Sequence, residues 1–286
     1  SDIGIPQTHD GKFLYADLQT RLGTSVSVMD MTNKLEALAE HIVADGGSTD
    51  GTVEWLKRQR NLRWVSEKDR GMYDAINKGF RMAGGDIVAH LNCDEQYLPG
   101  TLAAVADVFA RHPGVDIVFG DLVLVRPDGS PLAFRKAYPL RWPYVAASFL
   151  YVSTCTLFYR RRLIEEGLRL DAEYKTAGDA DFVVRLLRAG YRTFHVKRFL
   201  SAFTMTGSNM GSSDAAAGEG NILYARAPGW VRRTAWLLRA LRLLEKGLSG
   251  AYAHRGPVSY SIYTNDSPAC RKPFKAESLS CRWKTS

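Results

Sequence analysis

Three segments of this chain gather carboxylates, glycines and amide side chains directly after short apolar runs. The first, Val43-Ala-Asp-Gly-Gly-Ser-Thr-Asp-Gly-Thr52, sets Asp45 at the end of such a run. Its glycines permit a tight turn, and its Ser, Thr and Asp residues are suited to cap a following helix. A turn of this kind can face a nucleotide, and it is equally an ordinary strand-to-helix connection. The second segment, Glu67 to Gly79, places Arg70 and Gly71 before a helix that carries Asp74 and Asn77. A helix N-terminus with a guanidinium beside it suits an anionic ligand; the plainer reading is a run of surface ion pairs. The third, Leu91-Asn-Cys-Asp-Glu-Gln-Tyr97, holds the adjacent acids Asp94 and Glu95. These are hard oxygen donors, and with the oxygens of a diphosphate they would complete an octahedral Mg2+ or Mn2+ site. Adjacent acids in a loop are on their own more often solvated.

The elements that must hold these residues follow from the rhythm of the chain. His41 to Ala44, Leu62 to Val65 and Asp86 to Leu91 are near-continuous apolar runs. Helical patterns over Thr52 to Gln59, Gly71 to Ala83 and Gly100 to His112 follow them. This β-α-β-α order predicts an α/β fold with a parallel sheet covered on both faces and a ligand site beyond the carboxyl ends of its strands. A strand from Val115 to Gly120, a hairpin around Pro127-Asp-Gly-Ser130 and a helix starting near Asp179 continue the pattern. The uncharged run Trp142 to Tyr159 is broken by Pro143 and several hydroxyl residues and reads as buried core, not a membrane span.

The motifs, in this order and spacing, resemble the family 2 glycosyltransferases, enzymes of the Rossmann-like GT-A fold that use nucleotide-sugar donors. The resemblance covers about Ile3 to Gly211 and implies the following roles. Asp45 matches the second acid of the family's D-D-G-S turn and would meet the nucleobase; the preceding position is Ala44. Arg70, Asp74 and Asn77 match its K-G-x-Y-D-A-x-N-K-G segment beside the nucleotide. Asp94 and Glu95 match its N-A-D-D motif, with Asp94 on the ribose and diphosphate side and Glu95 on the metal. Pro6 would mark the end of a first strand, Ile3 to Asp10, that lacks the family's Tyr and Asn. Ala177 to Leu186 resembles the family's acidic helix start, with Gly178 where many members carry Glu. Asp179 is then the candidate general base, although a carboxylate there is also a natural N-cap. Phe203 to Gly211 resembles a loop that closes over the donor. The implied activity is inverting transfer of a sugar from a UDP- or GDP-linked donor to a hydroxyl of a saccharide or lipid-linked acceptor, in bacterial polysaccharide or glycolipid synthesis, with Mn2+ or Mg2+. The alternative is a membrane-attached nucleotide-sugar binding module without turnover.

Charge and cysteine content bound the remaining options. The 286 residues carry a net charge of +8. Residues 226–246 contribute +5 and residues 271–286 contribute +4, leaving the rest at −1 and arguing against a nucleic-acid groove. Cys93, Cys155, Cys270 and Cys281 form no C-x-x-C pair, which predicts free thiols and a cytoplasmic setting. No leader pattern is visible at the start of the sequence. From Trp230 to Leu248 an apolar stripe (Trp230, Leu237, Leu241, Leu244, Leu248) opposes a basic face (Arg232, Arg239, Arg242, Lys246). Such a helix either packs its apolar stripe on the domain and solvates its bases, or lies in an anionic membrane surface, peripheral on the inner face of the plasma membrane. The expected organisation is a GT-A domain over 1–211, a linker and amphipathic helix over 212–255, and a basic tail over 256–286.

Overall fold

Near-continuous apolar runs become the strands Ala39–Asp45 and Ile87–Leu91, whose central residues are buried, and their polar ends become turns at one end of the sheet. The computed structural model describes residues 26–31, 39–60, 62–207 and 214–282. Among them, β1 (Val26–Met31), β2 (Ala39–Asp45), β3 (Arg63–Ser66), β4 (Ile87–Leu91), β5 (Glu95–Tyr97), β6 (Ile117–Val125), β8 (Phe158–Arg160) and β9 (Thr193–Thr204) form a sheet in the order β3-β2-β1-β4-β8-β6-β9-β5. β7 (Pro131–Arg135) pairs with β6. α1 (Thr52–Leu56), α2 (Met72–Met82) and α3 (Thr101–Arg111) fall where the periodicity predicts, α1 ending three residues early.

The sheet is mixed, where the sequence predicts a parallel one. β2, β3, β4, β6 and β9 share one direction, and β1, β5, β7 and β8 oppose it. β7 returns from β6 through the tight turn at 126–130, where Gly129 has φ of 84°; a two-strand return of that length needs no crossover helix and so runs antiparallel. β1 lies antiparallel between β2 and β4, with Val26 opposite Ala44 and Ser27 opposite Leu91. The expected first strand, with Pro6, lies outside the described residues.

Alternation along the strands divides the core. Val88, Ile117 and Phe119 belong to a cluster with Tyr73, Ile76 and Phe80 of α2, with α4 (Trp142–Ala147), with Leu163 of α5 (Arg162–Glu165) and with α6 (Gly178–Arg188). Ile87, Ala89 and Val118 belong to the cluster under α3, with Val105 and Phe109. The run from Trp142 to Tyr159 is largely buried, as expected of core.

The C-terminal third is part of the same body. α7 (Asp214–Arg226), α8 (Gly229–Arg233) and α9 (Ala235–Leu248) place Leu223, Val231, Ala235 and Leu238 in the cluster shared with α2 and α6. Residues 256–286, expected as a basic tail, contain the hairpin β10 (Val258–Thr264) and β11 (Ser267–Ala276). Val258, Tyr260 and Ile262, at period two, pack on Leu98, Val123 and Val125, while Lys272 and Lys275 face solvent. Gln96 clasps the main chain of Tyr263 through both ends of its amide, at 2.9 Å each way.

The orientation of α9 is the reverse of the packed-helix expectation. Ala235, Leu238 and Arg242 face the body. Arg242 donates to the Tyr138 hydroxyl at 3.0 Å and lies 4.7 Å from the Phe149 ring. Arg239 Nε donates to the Ala147 carbonyl at 2.8 Å, and Glu245 forms a two-point pair with Arg141. Aromatic faces and carbonyl groups over 138–151 give guanidinium groups partners that a leucine face would leave unmet.

Candidate functional site

The carboxyl ends of β2, β3 and β4 lie at one sheet edge and carry the motif residues. At the end of β2, Asp45 is buried, and its Oδ2 accepts from the main-chain N–H groups of Gly47 and Ser48 at 3.1 and 3.0 Å and from Ser66 Oγ at 2.6 Å. Ser48 Oγ donates to Oδ1 at 2.5 Å. Asp45 thus pins its own turn to the neighbouring β3. A Cβ at Gly46 would sit 2.6 Å from Asp69 Oδ2, so a larger residue there would displace the Asp69 carboxylate that lies against this turn.

That loop leads into α2, where Gly71 takes φ of 130° at the cap. Arg70 keeps an exposed guanidinium, 3.8 Å from Asp74 and 3.6 Å from Glu173. Asp74 Oδ2 accepts from the Arg70 N–H at 3.2 Å, the favoured place for an acid in a first helical turn. Asn77, expected beside the nucleotide, bonds the main chain of Leu170. It is buried, donating to the Leu170 carbonyl at 2.8 Å and accepting from the Leu170 N–H at 3.0 Å. Both ends of its amide tie α2 to the segment before α6.

After β4 the chain turns through Asn92-Cys-Asp and enters β5 at Glu95. Asp94 is partly exposed, and its carbonyl accepts from Thr204 N–H at 2.7 Å, joining the turn to the end of β9. Glu95 is buried and its Oε2 accepts from the Asn92 N–H at 2.7 Å. Burial first, then the charges of Asp94 and Asp179, pushes its carboxyl up to about 8. Asp179 stands at the start of α6, where its Oδ1 accepts from Tyr73 Oη at 3.2 Å and from the Ala180 N–H at 2.8 Å. Burial raises it to about 6, against the lowering effect of those hydrogen bonds. Asp94, Glu95 and Asp179 therefore share one electrostatic environment, reached from two separate parts of the chain. Among the described residues, no group of three or more His, Cys, Asp or Glu side chains could hold a metal ion. The donor chemistry fits a hard divalent cation that takes most of its ligands from elsewhere, because two neighbouring oxygen donors in a charge-repelled, partly buried corner gain from a compensating cation.

Three further features of this site are missing from the motif-based residue set. Tyr73, in the Gly-Met-Tyr-Asp stretch, spends its hydroxyl on Asp179, and its ring lies so close that a Cβ at Gly178 would approach it to 2.7 Å. Glu219 of α7 reaches back to the loop before α6 and accepts from the N–H groups of Lys175, Thr176 and Ala177 at 2.6 to 2.9 Å. Lys175 Nζ donates to the Arg70 carbonyl at 2.9 Å, closing the contact between the α2 and α6 loops. The loop expected to close over the donor, Phe203 to Gly211, lies outside the described residues from Ser208 onward.

Residues 28–168 match the family described as glycosyl transferase family 2. The matched stretch is similar to that family and spans 141 of the 286 residues. Among similar proteins, a PGL/p-HBAD biosynthesis glycosyltransferase of Mycobacterium tuberculosis is 28% identical over 152 residues, 51% of this chain and 57% of that protein. An uncharacterized glycosyltransferase of the same species is 29% identical over 151 residues, 51% of this chain and 56% of the relative. The chain thus spans little more than half the length of these relatives. In three dimensions it resembles S. aureus TarS 1-349 in complex with UDP-GlcNAc, with a TM-score of 0.51 and 18% identity over 72% of this chain and 62% of TarS 1-349. The fold is GT-A. Against the family pattern, the glycine at 178 has a local cause: the Tyr73 ring fills the space a side chain there would need.

Proposed function

We propose that this protein transfers a sugar from a UDP- or GDP-linked donor to a hydroxyl of a saccharide or lipid-linked acceptor, with inversion at the anomeric carbon. The observation that carries the reading is Asp179: a carboxylate raised toward neutrality at a helix start, held by Tyr73 and electrostatically coupled to the acidic pair after β4. A base for an acceptor hydroxyl needs that combination of fixed orientation and raised proton affinity, and a positioned base is worth about 10²–10⁴ in rate.

In this scheme the Asp45 turn receives the nucleobase, and the exposed guanidinium of Arg70 faces the nucleotide's negative charge. Asp94 and Glu95 would hold Mn2+ or Mg2+, which when bound offsets the charge of the departing diphosphate. Asp179 accepts the proton of the acceptor hydroxyl while that oxygen attacks the anomeric carbon from the face opposite the nucleotide; the bond to the diphosphate oxygen breaks as the new glycosidic bond forms. Asn77 is assigned to holding α2 against residue 170, and Pro6, outside the described residues, is proposed to meet the donor. The GT-A unit is assigned to residues 1–211. The setting we propose is cytoplasmic, at the inner face of a bacterial plasma membrane, in the synthesis of an envelope glycolipid or polysaccharide; the mycobacterial relative is named for a biosynthetic glycosyl transfer, PGL/p-HBAD biosynthesis. Among the described residues no helix is long and apolar enough to cross a membrane.

The test is mass-detected transfer from a panel of UDP- and GDP-sugars with Mn2+ to a lipid-linked acceptor. Glycosylated product with inverted anomeric configuration supports the reading. Donor binding with neither transfer nor donor hydrolysis contradicts it and favours the nucleotide-sugar binding module.

A further inference from the structure

The outward face of α9 carries no polar side chain. At 100° per residue, Leu243, Trp236, Gly247, Ala240, Leu244, Leu237, Leu248 and Leu241 span an uninterrupted arc of about 160°. This is the face the helix turns away from the body. Trp236 is 72% exposed and Leu248 81%, and Leu237, Leu241, Leu243 and Leu244 are exposed with them. Scattered exposed leucines are ordinary; a continuous apolar strip on a helix whose guanidiniums are folded inward is not. Trp230 stands beside it at the start of α8, packed edge-on against Trp142 and still half exposed.

Charge decides between the occupants of such a strip. Residues 226–255 contain seven Arg or Lys and one acid, Glu245, which is held in the two-point pair with Arg141. Arg232 and Arg233 of α8 and Arg255 after α9 are exposed. A second copy of this chain, paired strip to strip, would bring those bases against their own equivalents. An anionic lipid surface meets both features, taking up the apolar arc and matching the basic surround.

We infer that α9 docks this protein on an anionic membrane, with Trp236, Leu244 and Leu248 entering the headgroup–acyl boundary and the flanking arginines meeting lipid phosphates. The inference deepens the proposed transfer reaction and rests on it for its purpose: presenting the base site to a lipid-linked hydroxyl. The connection is physical. α7, which leads into α8 and α9, also carries Glu219, whose carboxylate holds the main chain at 175–177 just before Asp179. The docking helix and the base are thus parts of one packed unit.

The test is co-sedimentation of the full chain with vesicles of phosphatidylcholine alone or mixed with phosphatidylglycerol, for the natural sequence and for Trp236→Ser/Leu244→Ser/Leu248→Ser. These side chains are exposed, so circular dichroism and melting should match between the two. The expected result is binding that needs phosphatidylglycerol, weakens with salt and falls by about tenfold or more in the triple variant. Absence of binding by the natural sequence, or equal binding by the variant, overturns the inference. So does a dimer of the natural sequence that the triple variant converts to monomer, because the strip would then be a protein interface. Transfer to a water-soluble acceptor is read in the same preparations. If it persists while vesicle binding is absent, only the docking inference fails; if vesicle binding persists without any transfer, docking stands and the proposed reaction fails.

Discussion

Replacing Asp179 by Asn separates what this carboxylate does for stability from what it does for reaction. The substitution keeps shape and keeps an oxygen able to accept from Tyr73 Oη and the Ala180 N–H. It removes only the ionisable proton site. A carboxyl moved from 3.8 to about 6 is about 3 kcal/mol harder to ionise in the folded protein than in water, and partial solvent access makes that an upper value. The folded state then holds more protons than the unfolded one between pH of about 4 and about 6. The stability associated with neutral Asp179 is full below that window and lost as pH rises through it. D179N has no such loss, so relative to the natural sequence it should gain stability with rising pH, reaching a plateau of up to about 3 kcal/mol above pH of about 6. Transfer should fall by about 10²–10⁴ at neutral pH with nucleotide affinity retained. In the natural sequence the rate should rise with pH to a plateau just above 6. Denaturant melts from acid to neutral pH, paired with the transfer assay, read all of these. A variant that transfers within a few-fold of the natural sequence, or whose stability relative to it does not change with pH, would refute the reasoning.

Other perturbations probe the supports of the site. Gly178→Ala forces the Tyr73 ring to move and should cost about 1–3 kcal/mol in melting experiments, with transfer reduced because Asp179 loses its hydroxyl partner. Glu219→Ala leaves the N–H groups of 175–177 without their carboxylate and should cost about 1–3 kcal/mol by denaturant titration. Asp94→Asn should abolish the extra rise in melting temperature that Mn2+ adds to a nucleotide diphosphate, since a ligand stabilises only to the extent that it binds the native state. Asn77→Ala should destabilise by a similar amount to Glu219→Ala, while nucleotide affinity in the surviving folded fraction changes little.

The strands that end at the site are legible because their apolar runs are nearly continuous and their ends are marked by Asp45, Ser66 and Asn92. The pairing directions are not, because period and burial are the same for a parallel and an antiparallel central strand; only the short return at 126–130 announces its sense. Asn77 shows the same limit at a single side chain. Its place in the motif suggests the nucleotide, and its amide is taken by the main chain of a residue 93 positions away. Tyr73 carries a usable signal, an aromatic hydroxyl one residue before Asp74, but its partnership with Asp179 spans 106 positions. The C-terminal region misleads for a physical reason. Net charge suggests a solvated tail and a solvated basic face, yet arginine packs readily on Tyr and Phe rings, and Val258, Tyr260 and Ile262 carry a strand pattern beneath the lysines.

The central claim is that the turn at Asp45, the acids at Asp94 and Glu95, and the carboxylate of Asp179 act on a single ligand. The structure of the protein with a nucleotide-diphosphate sugar and Mn2+ measures this directly. The account predicts the base at the Asp45 turn, the cation between the diphosphate and the Asp94/Glu95 pair, and the anomeric carbon facing the Asp179 carboxylate across room for one hydroxyl. A donor bound elsewhere, or an anomeric carbon turned away from Asp179, would contradict it.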